Sequence, residues 1–319
     1  MKIVIPGGSG QVGTMLARAC HARGDDVVVL SRKPMPAPWR TAAWDAKFPG
    51  AWTSELEGAD AVIHLSGRTV NCRYTLQHRR EIVESRTLTT HAVGEAIAAA
   101  GKPPRVWLNA STATVYRDAR DRAQDELTGE MGGHELKVPE TWSFSVGVGN
   151  QWEEAFYAAD LPHTRRVALR TSMVMSPDDK GVFDVLLGLV RYGLGGAQGD
   201  GGQYVSWIHD TDFVRATLFL IDNDAITGPA NMCAPGPLPN RDFMRGIREA
   251  YGMKLGMPAS KWMLEIGAVF LRTETELILK SRRVVPTVLE NAGFEFIFPT
   301  WPSAAQNLVR RWRAAHGQR

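Results

Sequence analysis

The stretch KIVIPGGSGQVG at residues 2–13 decides the expected fold, because a short apolar run leads directly into closely spaced glycines. The residues after it carry apolar side chains at a four-residue spacing and end at Gly24, a pattern typical of an amphipathic helix. Residues 27–30, VVVL, form a second β-branched run. The order of strand, glycine turn, helix and strand predicts a complete βαβ unit.

The same alternation of short β-branched runs and longer helical patterns continues through the first 170 residues. We therefore predict an α/β fold with a doubly wound parallel sheet, the Rossmann fold, and a smaller, mostly helical C-terminal subdomain. The further predicted strands cover residues 41–44, 61–65, 106–109, 166–169 and 205–208, and the further predicted helices cover 84–100, a segment from about 150, and 259–283.

Prolines at 235, 237, 239 and 258 mark a change in the organisation of the chain. We predict that residues 1–235 form the Rossmann domain and that residues 236–319 form a small substrate-side domain. The segment 178–202, rich in glycine towards its end, is expected to contribute to the substrate side.

Composition limits the kinds of protein to consider. A chain of 319 residues with 44% hydrophobic and 22% charged residues can bury a sizeable core. Its three cysteines lack metal-ligand spacing, so no metal site and a reducing, cytoplasmic compartment are expected. No apolar run approaches the roughly 20 residues of a membrane span. The net charge of +3 includes a basic C-terminal run without interleaved aromatic residues, which argues against nucleic acid as a partner.

The glycine turn has the features of a phosphate-binding turn. Gly7 permits the tight turn, Gly10 lets a pyrophosphate approach the backbone, and Gly13 allows close packing of the helix. The helix that follows offers free N–H groups and the positive end of its dipole to an anion.

The residues after the second predicted strand indicate which dinucleotide binds there. An NAD site usually has an acidic residue at this position, but the chain reads Ser31, Arg32, Lys33. Two cations favour a 2′-phosphate, so we predict NADP(H) as the cofactor. The alternative is that the two residues are ordinary surface cations.

Several motifs follow one another along the chain. They are GGSGQVG at 7–13, SR at 31–32, WD at 44–45, HLSG at 64–67, SR at 85–86, ASTATVY at 110–116, WEEA at 152–155, LRTSMVMSP at 169–177, GLGGAQGDGGQYVSWIHDTD at 193–212, LKSRRVVP at 279–286 and LENAGFEFIFP at 289–299. In this order the chain resembles the extended short-chain dehydrogenase/reductases, and more narrowly the NAD-dependent epimerase/dehydratase-like proteins with a small C-terminal domain of the DUF1731 type.

The resemblance implies a cofactor site along the carboxyl ends of the strands. It assigns Asp45 to the adenine, residues 65–67 to the ribose, and residues 171–174 to the nicotinamide, although Asp45 and Ser66 are also typical turn residues. The expected cofactor-binding residues are Gly7, Ser9, Gly10, Gln11, Val12, Gly13, Ser31, Arg32, Lys33, Asp45, Leu65, Ser66, Gly67, Arg86, Ala110, Thr171 and Val174.

The catalytic residues of the family are present only in part. Its members usually polarise a carbonyl with a serine, and Ser111 fits that position. They move the proton with a tyrosine that precedes a lysine by four residues, and no lysine of this chain has such a tyrosine. Tyr116 is predicted as a substitute, with a packed aromatic residue as the alternative.

Four residues near or beyond the glycine-rich segment are expected to contact substrate. Arg191, Gln203 and Trp207 suit an anionic or sugar substrate, and His209 suits proton transfer because its ordinary pKa lies near neutrality. The alternatives are that Trp207 is a core residue and that His209 bonds to backbone at a helix start. Residues 117–141 form either a lid or a surface excursion.

Two hypotheses follow. The chain is either an NADP(H)-dependent oxidoreductase or epimerase that acts on a carbonyl, alcohol or sugar-nucleotide-type small molecule, or a non-catalytic NADP(H)-binding sensor or partner-binding module. The sequence leaves the substrate and the oligomeric state open.

Overall fold

A seven-stranded sheet forms the centre of the protein in the computed structural model, which describes residues 1–260, 263 and 274–317. The strand order is β3-β2-β1-β4-β5-β6-β10, and every neighbouring pair is parallel. The predicted doubly wound parallel sheet is confirmed. The strands are β1 (Lys2–Pro6), β2 (Asp26–Ser31), β3 (Arg40–Ala43), β4 (Ala61–His64), β5 (Val106–Thr112), β6 (Arg165–Thr171), β7 (Met173–Met175), β8 (Tyr204–Val205), β9 (Trp207–His209), β10 (Gly228–Met232) and β11 (Leu238–Pro239).

Helices cover both faces of the sheet, because its buried strands carry apolar side chains on both sides. On one face, apolar residues of α1 and α5 pack on the sheet, and on the other face those of α2 and α3 do so. The described helices are α1 (Gln11–Ala22), α2 (Leu76–Ala98), α3 (Glu140–Tyr157), α4 (Val182–Arg191), α5 (Asp210–Asp222), α6 (Asn240–Tyr251), α7 (Glu276–Leu279), α8 (Thr287–Asn291) and α9 (Trp301–His316). In the described part of the chain, no helix is long and apolar enough to cross a membrane.

A third apolar cluster joins α4, α6, α9 and β9 beyond the sheet. The ring of Trp301 packs on Trp207 and Phe243, with centroid distances of 4.8 and 4.1 Å. Residues 261, 262 and 264–273 of the predicted helix 259–283 lie outside the described residues. In the described part of that range after residue 273 the only helix is α7, and the backbone is extended from Lys280.

The extended segment 280–285 ties the C-terminal residues to the rest of the protein. The backbone N–H of Gln124 donates to Arg283, that of Val285 donates to Gln124, and that of Arg282 donates to Tyr204. The sequence allowed segment 117–141 to be either a lid or a surface excursion. In the structure, these hydrogen bonds anchor the segment to the C-terminal residues at Gln124.

Candidate functional site

The glycine turn between β1 and α1 has the geometry of a close backbone approach. Gly7 has a φ of +75°, and a Cβ there would lie 2.4 Å from the Ser66 Oγ. A Cβ on Gly13 would lie 2.4 Å from the Gly8 Cα, so larger residues are excluded from both positions. Beyond Gly10, by contrast, the space is open for 4 Å. The turn is thus closely packed at Gly7 and Gly13, and it is open at Gly10, where α1 begins.

The start of α1 and the end of β4 offer polar groups to an anion. Gly10 caps α1 without a side-chain hydrogen bond, so the N–H groups of the first turn keep their hydrogen-bonding capacity. The Ser66 Oγ is buried beside Gly7 and has no hydrogen-bond partner among the residues that the structure describes. An unsatisfied buried hydroxyl of this kind fits a site that a polar ligand completes. These residues therefore fit a dinucleotide.

The two cations at the end of β2 are exposed and, within the part of the chain that the structure describes, neither pairs with a carboxylate. Ser31, which precedes Arg32 and Lys33, is buried, and its Oγ lies 3.2 Å from the Ser9 Oγ of the glycine turn. The Ser31 Oγ also accepts the Lys33 N–H at 3.2 Å. Ser31 thereby holds the basic pair next to the phosphate turn, where the two positive charges are available to an anionic ligand.

Asp45 and Arg86 are both engaged by neighbouring groups. The N–H groups of Lys47 and Phe48 donate to the Asp45 Oδ1 and lower the pKa of that carboxyl. The Arg86 guanidinium lies behind Gly67, over Trp152 at 4.9 Å, and burial lowers its pKa to about 10.

Arg86 donates to the carbonyl oxygens of Ile82 and Arg68 at 2.9 and 3.1 Å. These bonds support the turn after β4, which holds Leu65, Ser66 and Gly67, from its rear. A direct contact between Arg86 and a cofactor remains a prediction.

Two of the remaining expected cofactor residues, Ala110 and Thr171, lie near the carboxyl ends of the neighbouring strands β5 and β6. Ala110 pairs with Leu169 and Thr112 pairs with Thr171 in the β5–β6 register. Val174 lies in β7, and Gln11 faces the loop before α4, where a Cβ on Gly181 would lie 2.4 Å from its Nε2. The structure thus brings the strand-end residues to one edge of the sheet.

Ser111 lies at the carboxyl end of β5 but is hydrogen-bonded within the protein. Its Oγ donates to the Glu153 Oε1 at 2.6 Å. Arg170 holds the same carboxylate by two hydrogen bonds of 2.9 and 2.8 Å. Ser111 must therefore turn its proton away from Glu153 before it can polarise a substrate.

Tyr116 does not fit the predicted proton carrier, and its position corrects that expectation. Its side chain is buried, its hydroxyl donates to the Asn231 Oδ1 at 3.0 Å, and it accepts from the Arg170 Nη1 at 3.0 Å. Burial raises its pKa to about 12. Tyr116 is the packed aromatic of the alternative interpretation.

Helix α3 is where the resemblance places the usual tyrosine and lysine, and the packing of one of its faces leaves no room for the lysine. Ser145, Gly149 and Glu153 are spaced by four residues and share the face towards the end of β5. A Cβ on Gly149 would lie 2.5 Å from the Val115 Cγ1 and 3.0 Å from the Thr112 Cγ2. A lysine side chain therefore cannot extend from this position.

Two expected substrate residues are parts of the core, which corrects their assignment. Trp207 is fully buried, and its Nε1 donates to the Gly236 carbonyl at 3.2 Å. His209 is fully buried, stacks on Phe298 at 3.9 Å, and accepts the Thr211 N–H at 3.1 Å as the cap of α5. Neither side chain has a surface left for a substrate.

The other two substrate candidates also make internal contacts. The Arg191 guanidinium lies 4.7 Å from the centroid of Trp312 on α9. Gln203 is buried, and its Nε2 donates to the carbonyl oxygens of Gln198 and Ile278 at 2.8 and 3.3 Å. Arg191 thus connects α4 to α9, and Gln203 connects the glycine-rich segment to the C-terminal residues.

A polar cluster that the sequence did not reveal surrounds Ser145. The Tyr74 hydroxyl lies 3.5 Å from the Ser145 Oγ, which donates to the Glu276 Oε2 at 3.1 Å. The Arg282 Nη2 donates to the Glu276 Oε1 at 2.5 Å. No local pattern signals this cluster, because its members come from segments far apart in the sequence.

Residues 3–232 match the NAD dependent epimerase/dehydratase family. The chain belongs to this family. Residues 259–308 match a domain of unknown function, DUF1731, so the resemblance seen in the motifs is confirmed at both ends of the chain.

Relatives within the epimerase family align over nearly the whole chain. The epimerase family protein SDR39U1 of Bos taurus is 29% identical over 315 residues, which cover 97% of this chain and 100% of the relative. The epimerase family protein ML0860 of Mycobacterium leprae is 30% identical over 297 residues, which cover 92% and 91%.

Two solved structures of epimerases share the fold. Human epimerase family protein SDR39U1, crystallised with NADPH, superposes with a TM-score of 0.85 at 26% identity and covers 97% of this chain and 99% of its own. The nucleoside-diphosphate sugar epimerase of Corynebacterium glutamicum has a TM-score of 0.74 at 28% identity, and the match covers 96% and 57% of the two chains.

Proposed function

We propose that this protein is an NADP(H)-dependent oxidoreductase or epimerase of the short-chain dehydrogenase type, acting on a carbonyl, alcohol or sugar-nucleotide-type substrate. The observation that carries the proposal is the phosphate turn open at Gly10 beside the exposed cations Arg32 and Lys33, which form no ion pair with the residues that the structure describes. The NADPH in the crystal structure of human SDR39U1 supports the choice of cofactor.

Each group of residues has a distinct part in the proposed site. The first turn of α1 holds the pyrophosphate, while Arg32 and Lys33 hold the 2′-phosphate. NADP(H), when bound, supplies or accepts a hydride. Ser111 polarises the reacting oxygen once its hydroxyl turns from Glu153.

The first test is a parallel titration with NADPH and NADH, followed by nicotinamide fluorescence. We expect NADPH to bind at least about tenfold more tightly, a difference of roughly 1.4 kcal/mol. The double variant with Arg32→Ala and Lys33→Ala should lose this preference and keep its NADH affinity. Lys102→Ala, near the opposite end of the sheet, serves as the control. Equal binding of both cofactors by the unaltered protein would contradict the assignment of the basic pair.

The second candidate function is a non-catalytic NADP(H)-binding module, and the packing of Gly149 favours it because this packing removes the usual lysine. Oxidation of bound NADPH by a broad panel of carbonyl compounds separates the two functions. The enzyme should oxidise NADPH, and Ser111→Ala should abolish the oxidation while binding is retained. Binding without turnover over the whole panel favours the module.

A further inference from the structure

Tyr74 brings a phenol to the position where this family's usual tyrosine is missing. It lies in the loop that leaves β4 and passes Ser66 and Gly67 beside the phosphate turn before α2 begins. Its ring packs edge-on against Phe144 of α3, with centroids 5.0 Å apart. Its backbone N–H donates to the Glu274 Oε1 at 2.8 Å, which fixes the residue from the C-terminal side.

The Tyr74 hydroxyl is directed at the face of α3 that would carry the usual tyrosine. Ser145 stands four residues before Gly149 on that face, and its Oγ is 3.5 Å from the Tyr74 hydroxyl. Ser145 in turn donates to Glu276, which is almost completely buried and paired with Arg282. Phenol, hydroxyl and carboxylate thus form a continuous hydrogen-bonded row.

We propose that Tyr74 is the catalytic phenol of this protein, and that Ser145 and Glu276 connect it to a proton acceptor supplied by the C-terminal residues. The inference rests on the proposed function, because it assigns the proton carrier that the proposed reaction requires. Tyr74 and Glu276 are 202 positions apart in the sequence and meet through Ser145.

The hydrogen-bond directions allow a balanced proton transfer. Because Ser145 donates to Glu276, the Tyr74 hydroxyl donates to Ser145 and its oxygen lone pair is free to accept. When a substrate alcohol loses its hydride to the oxidised cofactor, its O–H bond breaks and a C=O bond forms. The released proton passes to Tyr74, the Tyr74 proton to Ser145, and the Ser145 proton to the Glu276 carboxylate. Carbonyl reduction reverses every step.

The surroundings of Tyr74 keep the phenol neutral in the absence of a cofactor. Burial raises its pKa to about 12, the hydrogen bond with Ser145 lowers it, and the charge of Glu276 raises it. Its other charged or titratable neighbours include Cys72 of the same loop, Arg79 and Arg86 of α2, Glu274, whose carboxylate accepts the Tyr74 N–H, and Arg282. A neutral phenol donates and accepts at once, which a relay requires.

The test is NMR of protein labelled with ¹³C at the Cζ of its six tyrosines, recorded near neutral pH while the protein is saturated with NADP⁺ or with NADPH. Only NADP⁺ carries a positive nicotinamide ring. If Tyr74 lies beside that ring, we expect its Cζ signal to lie at different chemical shifts in the two complexes. Tyr74→Phe keeps the packed ring and assigns the signal.

Tyr157 is the matched control, because it lies on α3, the helix against which Tyr74 packs, and burial also raises its pKa to about 12. Its signal should lie at the same chemical shift in the two complexes. An unchanged Tyr74 signal in both complexes would overturn the inference and leave the proposed function intact. A protein that binds neither cofactor would refute both.

Activity gives a second measurement once the carbonyl panel has yielded a substrate. Tyr74→Phe and Glu276→Gln should each lower kcat by about 10²–10⁴-fold and leave the NADPH affinity within about twofold. Tyr157→Phe should leave kcat unchanged. A Tyr74→Phe variant with full kcat would contradict the assignment.

Discussion

Gly149 has no side chain because the backbone of α3 approaches the end of β5 at this residue. Its missing Cβ would meet Val115 and Thr112, whereas a Cβ on Gly147, half a turn away, would have only the Gln151 Nε2 at 4.0 Å. Close packing therefore requires a glycine at position 149, whereas the space around position 147 would admit a side chain, although both lie inside one helix.

This difference gives a prediction for the free energy of unfolding. Gly149→Ala should destabilise the protein by about 1–3 kcal/mol, because the added methyl overpacks the contact with Val115. Gly147→Ala should stabilise it by up to about 1 kcal/mol through helix propensity. Urea unfolding of both variants measures the two effects, and equal values would refute the close approach.

His64 is a second residue whose environment has a measurable consequence. It is completely buried at the end of β4, its Nδ1 lies 2.6 Å from the Asn109 Oδ1, and its Nε2 has no partner. Burial lowers its pKa to about 4 in the folded protein, below the ordinary value of 6.5. His64 is therefore neutral in the folded state at physiological pH.

The pH dependence follows from this lowered pKa. Below pH 6.5 the unfolded chain binds a proton that the folded chain binds only near pH 4, so stability falls as the pH decreases through this window. The loss should approach about 3 kcal/mol. Urea unfolding at pH 7, 5.5 and 4.5 measures it, with His64→Gln as the comparison. The same slope in that variant would show that other groups cause the loss.

At the scale of elements, one buried ion pair joins α3 to the sheet. Glu153 of α3 meets Arg170 of β6, and their side chains are only 12% and 10% exposed. Ser111 of β5 bonds to the same carboxylate. The pair therefore fixes the helix against two central strands, close to the carboxyl ends where the proposed site lies.

Breaking this pair should be costly. Arg170→Met leaves the Glu153 charge buried and unpaired, and we expect a loss of about 3–5 kcal/mol in unfolding free energy. Arg80→Met breaks the exposed pair with Glu84 on α2 and should change the unfolding free energy far less, because solvent screens that pair. Urea unfolding of both variants provides the measurement. A small effect at Arg170 would mean that solvent reaches Glu153.

The elements themselves were predictable where local pattern governs them. The first βαβ unit follows from β-branched runs around a glycine turn, and β1 and β2 lie where expected. Helix α3 begins ten residues before the predicted Asn150, because glycines that serve its packing obscure the helical pattern. Strand β10, Gly228–Met232, was not predicted, since its glycine, proline and asparagine are tolerated only at a sheet edge.

The candidate site was predictable only in its local part. The glycine turn and the basic pair are each contiguous in sequence, so their spacing carried the information. Trp207 and His209 were assigned to substrate because the residues that bury them, Trp301 and Phe298, lie about ninety residues later. Contacts between residues so far apart in the sequence leave no periodic pattern in it.

At the scale of the whole molecule, buried polar groups hold the C-terminal residues to the rest of the protein. The Asn231 side chain accepts from Tyr116 and donates to the Val285 carbonyl at 2.9 Å. The Ser206 Oγ donates to the carbonyl oxygens of Arg282 and Val284 at 2.8 and 3.2 Å. The sheet and the C-terminal residues thus share one network.

We expect the protein to unfold in one cooperative transition despite its size. Tryptophan fluorescence reports on ten tryptophans, among them Trp107 in β5 and Trp207 and Trp301 beyond the sheet, while far-ultraviolet circular dichroism reports on the whole backbone. Their urea curves should coincide, because neither part can separate without breaking the shared bonds. Two separated transitions would show that the C-terminal residues fold independently.

The meeting of Ser145 with Glu276 also fixes when the site can exist during synthesis. Ribosomes add about 5–20 residues per second, so Arg32 and Lys33 emerge on the order of ten seconds or more before Glu276. A nascent chain can therefore expose the cofactor turn while the relay has no terminal carboxylate. On the proposed assignment, the relay is complete only when Glu276 has left the ribosome and folded onto α3.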